Sequence, residues 1–278
     1  MIIFIIVSIL AITIIGGWPN LNWTFLSEFP KEGMTKGGIF PAIVGTAVMT
    51  IIMAVAAVPF GVITAIYLAE YANEKSVVAK TIRFAVKTLA VVPSIIFGLF
   101  GLGFFIGFVG KNMDAIFSGG ELKWGQPNIL WASLTMALLT LPVVIVSVEE
   151  AIRTIPREMR EASLALGATK WQTIKKVVLP GSVSGILTGT ILAVSRGAGE
   201  VAPILFTGAV YFSSNLPHSL SDQFMSLGYH IYIMSTQSSN VDATQPIQFA
   251  TTLVLLLLTF SLNAIAVVLR YRIRKRAK

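Results

Sequence analysis

Two charged residues interrupt an apolar stretch in the carboxyl-terminal half of the sequence. Arg196 and Glu200 stand four positions apart within residues 181–206, which are otherwise apolar, small or hydroxyl-bearing. On one helix they could pair, which reduces the cost of placing charge among apolar groups. One interpretation is that they only neutralise each other and lock helix packing. The other is that the Arg196 guanidinium binds a tetrahedral oxyanion, which Glu200 helps to release.

The same stretch carries a small residue at every fourth position. These residues are Gly181, Gly185, Gly189, Ala193 and Gly197. Aligned along a helix, they would form a row with almost no side chains, against which another helix can pack closely. We therefore expect a helix interface here, and the alternative is a chance pattern in a glycine-rich sequence.

Residues 156–180 form a polar, basic segment that lacks the apolar length to lie in lipid. Pro156 suits a helix start, and Gly167 suits a left-handed helix stop. Thr169 followed by Gln172 is a capping-box pattern that predicts a second short helix. Apolar residues recur on one side of each helix: Met159, Ala162 and Leu166 on the first, and Trp171, Ile174 and Val178 on the second. Pro180 is expected to end this segment or bend it into the next.

Composition identifies the chain as an integral membrane protein. Of 278 residues, 55% are hydrophobic and 12% charged, and the mean hydropathy is +0.79, outside the range of soluble domains. Six spans are predicted, over residues 1–15, 40–68, 82–109, 128–148, 181–206 and 249–269. The prolines inside several spans are tolerated where neighbouring helices satisfy the freed carbonyl groups. The predicted fold is an all-α membrane domain over residues 1–278, with a core over 40–270.

Two segments keep alternatives open. Residues 1–15 could be a signal peptide, but they lack its basic start and cleavage pattern, so a first span is favoured. In the loop over residues 211–248, an interfacial helix is expected around residues 220–234, for docking an external protein or for anchoring at the membrane surface. Its histidines, His218 and His230, are expected to be solvated or interfacial. No metal site is predicted, because no ligand stands at suitable spacing.

Basic residues set the orientation. Sixteen lysines and arginines lie in the tail, in the loop between spans four and five and in the connection between spans two and three, against four on the other side. By the positive-inside rule, the carboxyl terminus and the loop over residues 153–180 face the cytoplasm. Glu149 and Glu150, at the cytoplasmic end of span four, are expected to pair with Arg153 and nearby bases.

Two motifs carry a resemblance to a known family. Glu161-Ala162-Ser163, Gly167 and Leu179-Pro180 have the spacing of the cytoplasmic "EAA" loop of ABC importer permeases. Ser163 replaces the usual alanine. The run from Arg196 to Gly208 (RGAGEVAPILFTG) extends the likeness. Together they resemble the phosphate-specific ABC importer permeases of the PstA type, inner-membrane components of binding-protein-dependent transport with a MetI-like fold.

The resemblance implies a function and a set of partners. A type I importer permease has six membrane helices and a cytoplasmic coupling helix, forms half of a pore and is not itself an enzyme. The implied partners are a second permease of the PstC type, two ATPase subunits, an external phosphate-binding protein, inorganic phosphate and membrane lipid. ATP and Mg²⁺ would be bound by the ATPase, and these 278 residues contain no phosphate-binding loop motif. The residues implied to contact the ATPase are Glu161, Ala162, Ser163, Leu166, Gly167, Ala168, Trp171 and Pro180.

Other functions remain possible at this stage. An ABC permease for sulfate or molybdate would share these motifs. A secondary transporter would not need a helical docking loop, and no inverted repeat is evident. A membrane anchor or scaffold would not depend on Arg196 for transport. Nucleic-acid binding is not expected, since both ends of the basic segment are tethered to membrane spans.

Overall fold

The computed structural model describes residues 1–31, 36–73, 75–117, 119–238 and 241–276. Six helical segments in these ranges are long and apolar enough to cross a membrane: Ile2–Asn20, Phe40–Tyr71, Ser94–Phe117, Ile129–Arg153, Lys170–Ala198 and Thr244–Ile265. The predicted number of spans is confirmed. Residues 277 and 278 of the predicted basic tail lie outside the described residues.

The fold is almost entirely helical, as predicted. The helices are α1 (Ile2–Gly17), α2 (Trp23–Ser27), α3 (Phe40–Ile66), α4 (Val77–Val91), α5 (Ser94–Phe100), α6 (Lys111–Phe117), α7 (Ile129–Arg153), α8 (Arg157–Ala165), α9 (Lys170–Thr173), α10 (Leu179–Ala198), α11 (Ile204–Thr207), α12 (Leu227–Thr236) and α13 (Val241–Arg276). Wider π-helical turns extend α3 over Tyr67–Tyr71, join α5 to α6 over Gly101–Gly110 and join α9 to α10 over Ile174–Val178. A 3₁₀ turn covers Trp18–Asn20, and two short antiparallel strands, β1 (Pro30–Lys31) and β2 (Lys36–Gly37), pair Pro30 with Gly37.

The predicted third span was wrong at its start. The structure has two helices there: α4 ends at Val91, and α5 begins at Ser94 after Pro93. Proline disfavours a helical conformation in the residue before it, which separates the two. The membrane-crossing segment begins only at Ser94, and α4 is a separate helix with basic residues along one side.

The predicted fifth span was wrong at both ends. Pro180 does not end the helix, which runs without interruption from Lys170 to Ala198. The π-helical turn directly before α10 provides the local adjustment that a proline requires. At the other end, the helix stops at Ala198, and the separate short helix α11 begins after Pro203.

The described residues form two compact units. Unit 1 is drawn from residues 1–52, 94–136 and 198–260, and unit 2 from residues 53–93, 137–197 and 261–278. The core of unit 1 includes Phe25, Ile39, Ala42, Met225, Leu227, Ala250 and Val254. One core cluster of unit 2 joins α3, α7 and α10 through Ala65, Val144, Val148, Ile152, Val178 and Ala193. A second cluster of unit 2 joins α4 to α3 and α7 through Leu68, Ala79, Val86 and Ile145.

The helix predicted around residues 220–234 of the last loop begins later than expected. The observed helix is α12, which begins at Leu227. Leu227, Ile233 and Met234 are buried within the protein. His230 is also buried, with 2% of its surface exposed, whereas His218 is exposed as expected.

Candidate coupling surface and translocation residues

The segment after α7 contains the short helix α8, a glycine hinge and α9, which continues through a π-helical turn into α10. Gly167 has a φ of +83°, a left-handed conformation that glycine adopts without strain. The Thr169 side chain accepts a hydrogen bond from the Gln172 N–H at 3.3 Å, and the Gln172 side chain accepts one from the Thr169 N–H at 2.8 Å. The first helix, the glycine stop and the capping box were predicted, and the structure confirms them. The second helix was predicted to be short, but it continues into α10. We call residues 157–173, from the start of α8 to the end of α9, the elbow.

Arg160 fastens the elbow to two longer helices of unit 2. Its guanidinium donates to Glu70 Oε1 at 3.0 Å and to the Ile152 carbonyl at 2.9 Å, and it also contacts the Ile155 carbonyl. Glu70 lies in the π-helical end of α3, and the two carbonyls belong to the end of α7 and the turn after it. Only 19% of the Arg160 side chain is exposed. This role is not evident from the sequence, because Arg160 and Glu70 are 90 positions apart.

The elbow leaves several apolar side chains uncovered by the described residues. Met159 is 51% exposed, Leu164 48%, Leu166 89% and Trp171 55%. Ile174 and Val178, predicted to share a face with Trp171, are instead buried in unit 2. Ser163 joins the two short helices through a 2.9 Å hydrogen bond with Thr173. Glu161, Ala162 and Pro180 are exposed, and Ala168 is half-buried.

The small residues of α10 lie against α7. A Cβ added at Gly185 would lie 2.5 Å from the Ala151 Cβ, and one added at Gly181 would lie 2.8 Å from Ile155 Cδ1. A Cβ at Gly189 would collide with Ser147. Their partners, Ser147 and Ala151 on α7 and Ile155 just after it, also recur every four residues, as expected for two segments in close backbone contact. Further along, a Cβ at Gly197 would lie 2.5 Å from Met53 Sδ, and Ala193 is buried in the same unit.

Arg196 and Glu200 do not share a helix. Arg196 lies in the last turn of α10, where its side chain is exposed, and Glu200 follows the helix end at Ala198 and is half-buried. The prediction that they occupy one helical face was therefore wrong, because the helix ends between them. Their roles in a substrate path remain a prediction.

A second charged cluster lies where α7 meets α4, within unit 2. Glu149 is 8% exposed, and its Oε1 accepts from Arg83 at 2.6 Å and from Arg153 at 3.0 Å. The expected pairing of Glu149 with Arg153 is confirmed, and Arg83 is an additional partner. Glu150 is exposed. Within the described residues, no group of three histidine or acidic side chains could hold a metal ion.

Comparison with known proteins decides the family. The model of the binding-protein-dependent transport system inner membrane component matches residues 57–275. The chain belongs to this family. It is also 32% identical to the phosphate transport system permease protein PstA of Xylella fastidiosa, with 92% of this chain and 84% of the relative aligned. A probable ABC transporter permease, YqgI of Bacillus subtilis, is 31% identical over 86% of this chain and 80% of its own.

The fold agrees with solved permeases. A bacterial alginate ABC transporter, crystallised in complex with an alginate-bound periplasmic protein, has a chain similar to this one, with a TM-score of 0.64 and 16% identity. The alignment covers 92% of this chain and 84% of the other. The predicted fold class, a type I importer permease with six membrane helices, is confirmed, as is the predicted resemblance to the PstA-type proteins.

Proposed function

We propose that this permease is the transmembrane subunit of an ATP-driven importer of inorganic phosphate and forms half of its pore. The proposed coupling to an ATPase rests on the elbow. Its exposed apolar side chains are available to a partner, and Arg160 links it to α3 and α7. Apolar side chains on a helical surface suit a groove on a partner protein. The substrate part rests on the relative from Xylella fastidiosa, named for phosphate transport.

The proposed assembly contains a second permease of the PstC type, two ATPase subunits and an external phosphate-binding protein. ATP and Mg²⁺ bind to the ATPase subunits, since these residues lack a phosphate-binding loop motif. The elbow and the carboxyl terminus face the cytoplasm, as the excess of sixteen basic residues over four indicates. Closure of the ATPase moves the elbow and the helices attached to it as a rigid body.

Arg196 is the proposed contact for the anion. A guanidinium offers several N–H donors in a fixed plane that matches a phosphate oxyanion. Glu200 lies close in sequence, and its negative charge opposes tight anion binding, which a transporter needs for release.

Reconstitution into vesicles tests the whole proposal. The chain, purified with its associated subunits, is expected to accumulate labelled phosphate only with ATP on the cytoplasmic face, and phosphate is expected to stimulate ATP hydrolysis more than sulfate or molybdate. Arg196→Ala is expected to abolish uptake without loss of subunits, and Arg196→Lys to retain part of it. Absence of an ATPase from the purified assembly, or stimulation by sulfate alone, would refute the proposal.

The coupling surface has its own test. Leu166→Asp places a charge on a side chain that is 89% exposed, so the fold is expected to survive while co-purification of the ATPase falls. Leu122→Asp is the matched control, because Leu122 is 66% exposed in the loop before α7 that is predicted to lie outside. Equal loss of the ATPase in both variants would contradict a specific coupling role.

A further inference from the structure

The helix α4 has a second apolar face that the described residues leave uncovered. Its inner face packs Ala79 and Val86 into a core cluster of unit 2. Val77, Phe84 and Val91 are 77%, 71% and 79% exposed. Seven-residue spacing places these three side chains in one stripe along the helix. Such a stripe on a surface helix requires an apolar environment to cover it.

Basic side chains line the edge between these two faces. Lys80, Arg83 and Lys87 recur three and four positions apart, so they share one side of α4. Among the residues that the structure describes, the Lys87 ammonium forms no salt bridge or hydrogen bond. An apolar stripe beside a basic one is typical of a helix lying at a membrane interface.

A cavity of about 330 Å³ opens beside this basic edge. Its charged lining comprises Arg83, Lys87, Arg153, Glu149 and Glu150. Glu149 is already engaged by Arg83 at 2.6 Å and Arg153 at 3.0 Å. The lining therefore carries one more positive than negative charge, and Lys87 is the cation that the described salt bridges leave available for a ligand.

We propose that α4 lies in the cytoplasmic membrane interface and that the adjacent cavity binds the phosphate headgroup of an anionic lipid through Lys87. The cytoplasmic leaflet is the one that presents anionic headgroups to basic side chains, and α4 belongs to the basic side of the protein. The stripe of Val77, Phe84 and Val91 contacts the acyl chains of the same leaflet. This stripe favours a lipid over free phosphate, because a small anion makes no use of apolar surface. The proposal does not depend on which anion the importer carries.

Native mass spectrometry of the purified complex tests the site with phosphatidylglycerol as the probe. One lysine contributes about 1 kcal/mol to attraction by anionic lipid, so Lys87→Gln is expected to weaken phosphatidylglycerol binding about fivefold. Lys75→Gln, the same change in the exposed turn before α4, is expected to leave binding unchanged. Phe84→Ser is also expected to weaken binding. The thermal unfolding of each variant is measured as a control that the variant remains folded.

Several outcomes would overturn the proposal. An equal loss of phosphatidylglycerol binding in Lys87→Gln and Lys75→Gln would indicate that general surface charge, and not a defined site, attracts the lipid. Displacement of phosphatidylglycerol by millimolar inorganic phosphate would indicate a small-anion site, and equally tight phosphatidylcholine binding would remove the role of charge. Unchanged lipid binding with loss of the ATPase from Lys87→Gln would assign this face to a protein partner.

Discussion

An alanine at position 185 tests how closely α10 and α7 approach each other in unit 2. The added Cβ would lie 2.5 Å from the Ala151 Cβ. Carbon atoms in favourable contact are about 3.5 to 4.0 Å apart, so the two helices must separate by roughly 1 Å. Ala151 is 8% exposed, which leaves its methyl group little room to move.

Two opposing effects set the expected magnitude. Overpacking of a close interface costs about 1 to 3 kcal/mol. Replacing glycine by alanine inside a helix gains up to about 1 kcal/mol in helix propensity. We therefore expect Gly185→Ala to lower the free energy of unfolding by up to about 2 kcal/mol, since the overpacking cost is the larger of the two effects.

Denaturant unfolding in detergent, followed by tryptophan fluorescence, measures the effect. Gly103→Ala is the matched control, because a Cβ at Gly103 meets no atom within 4 Å. The double variant Gly185→Ala/Ala151→Gly moves one methyl group across the interface and is expected to be more stable than the two single effects predict. A double-mutant cycle gives this coupling energy directly.

Two results would refute a close contact between α10 and α7. Equal stability of Gly185→Ala and Gly103→Ala would show that the added methyl group meets no resistance. A coupling energy near zero in the cycle would show that positions 185 and 151 do not touch. Either result would show that the small residues of α10 do not form a close interface with α7.

Three further variants test local features of unit 1 and unit 2. Glu149→Gln should lower the free energy of unfolding by about 2 kcal/mol, because it removes the buried carboxylate that pairs with Arg83 and Arg153. The same change at the exposed Glu150 should have almost no effect. Burial lowers the pKa of His230 from 6.5 to about 4, so between these pH values the unfolded chain binds a proton that the folded chain does not. The free energy of unfolding should therefore fall by up to about 3 kcal/mol as the pH drops from 6.5 to 4. His230→Gln should flatten this slope, and exposed His218→Gln should not. Thr169→Ala should cost about 1 kcal/mol through loss of the cap and speed amide exchange in α9.

The elbow was predictable because its signals are local. Gly167 stops a helix through its own backbone conformation, and Thr169 and Gln172 cap the next one within three residues. Such features depend little on the rest of the chain. The helix stop and the cap that shape the elbow could therefore be predicted from the sequence alone, whereas contact of this segment with an ATPase remains a prediction.

Predictions that depend on distant residues failed. Apolar residues in α4 and α5 merge into one hydrophobic stretch, and only packing against α3 and α7 shows that α4 is separate. The same holds for Arg160, whose partner Glu70 lies 90 positions away, and for His230, whose burial depends on the folded loop. No local pattern distinguishes these residues from solvated ones.

The packing of unit 2 connects the elbow mechanically to Arg196. Arg160 ties α8 to the ends of α3 and α7, and the small residues of α10 hold that helix against α7. The helix α10 has 20 residues, which corresponds to roughly 30 Å. The elbow lies before its start, and Arg196 lies in its last turn. We therefore expect a displacement of the elbow to move Arg196 together with α10, without a separate relay along the way.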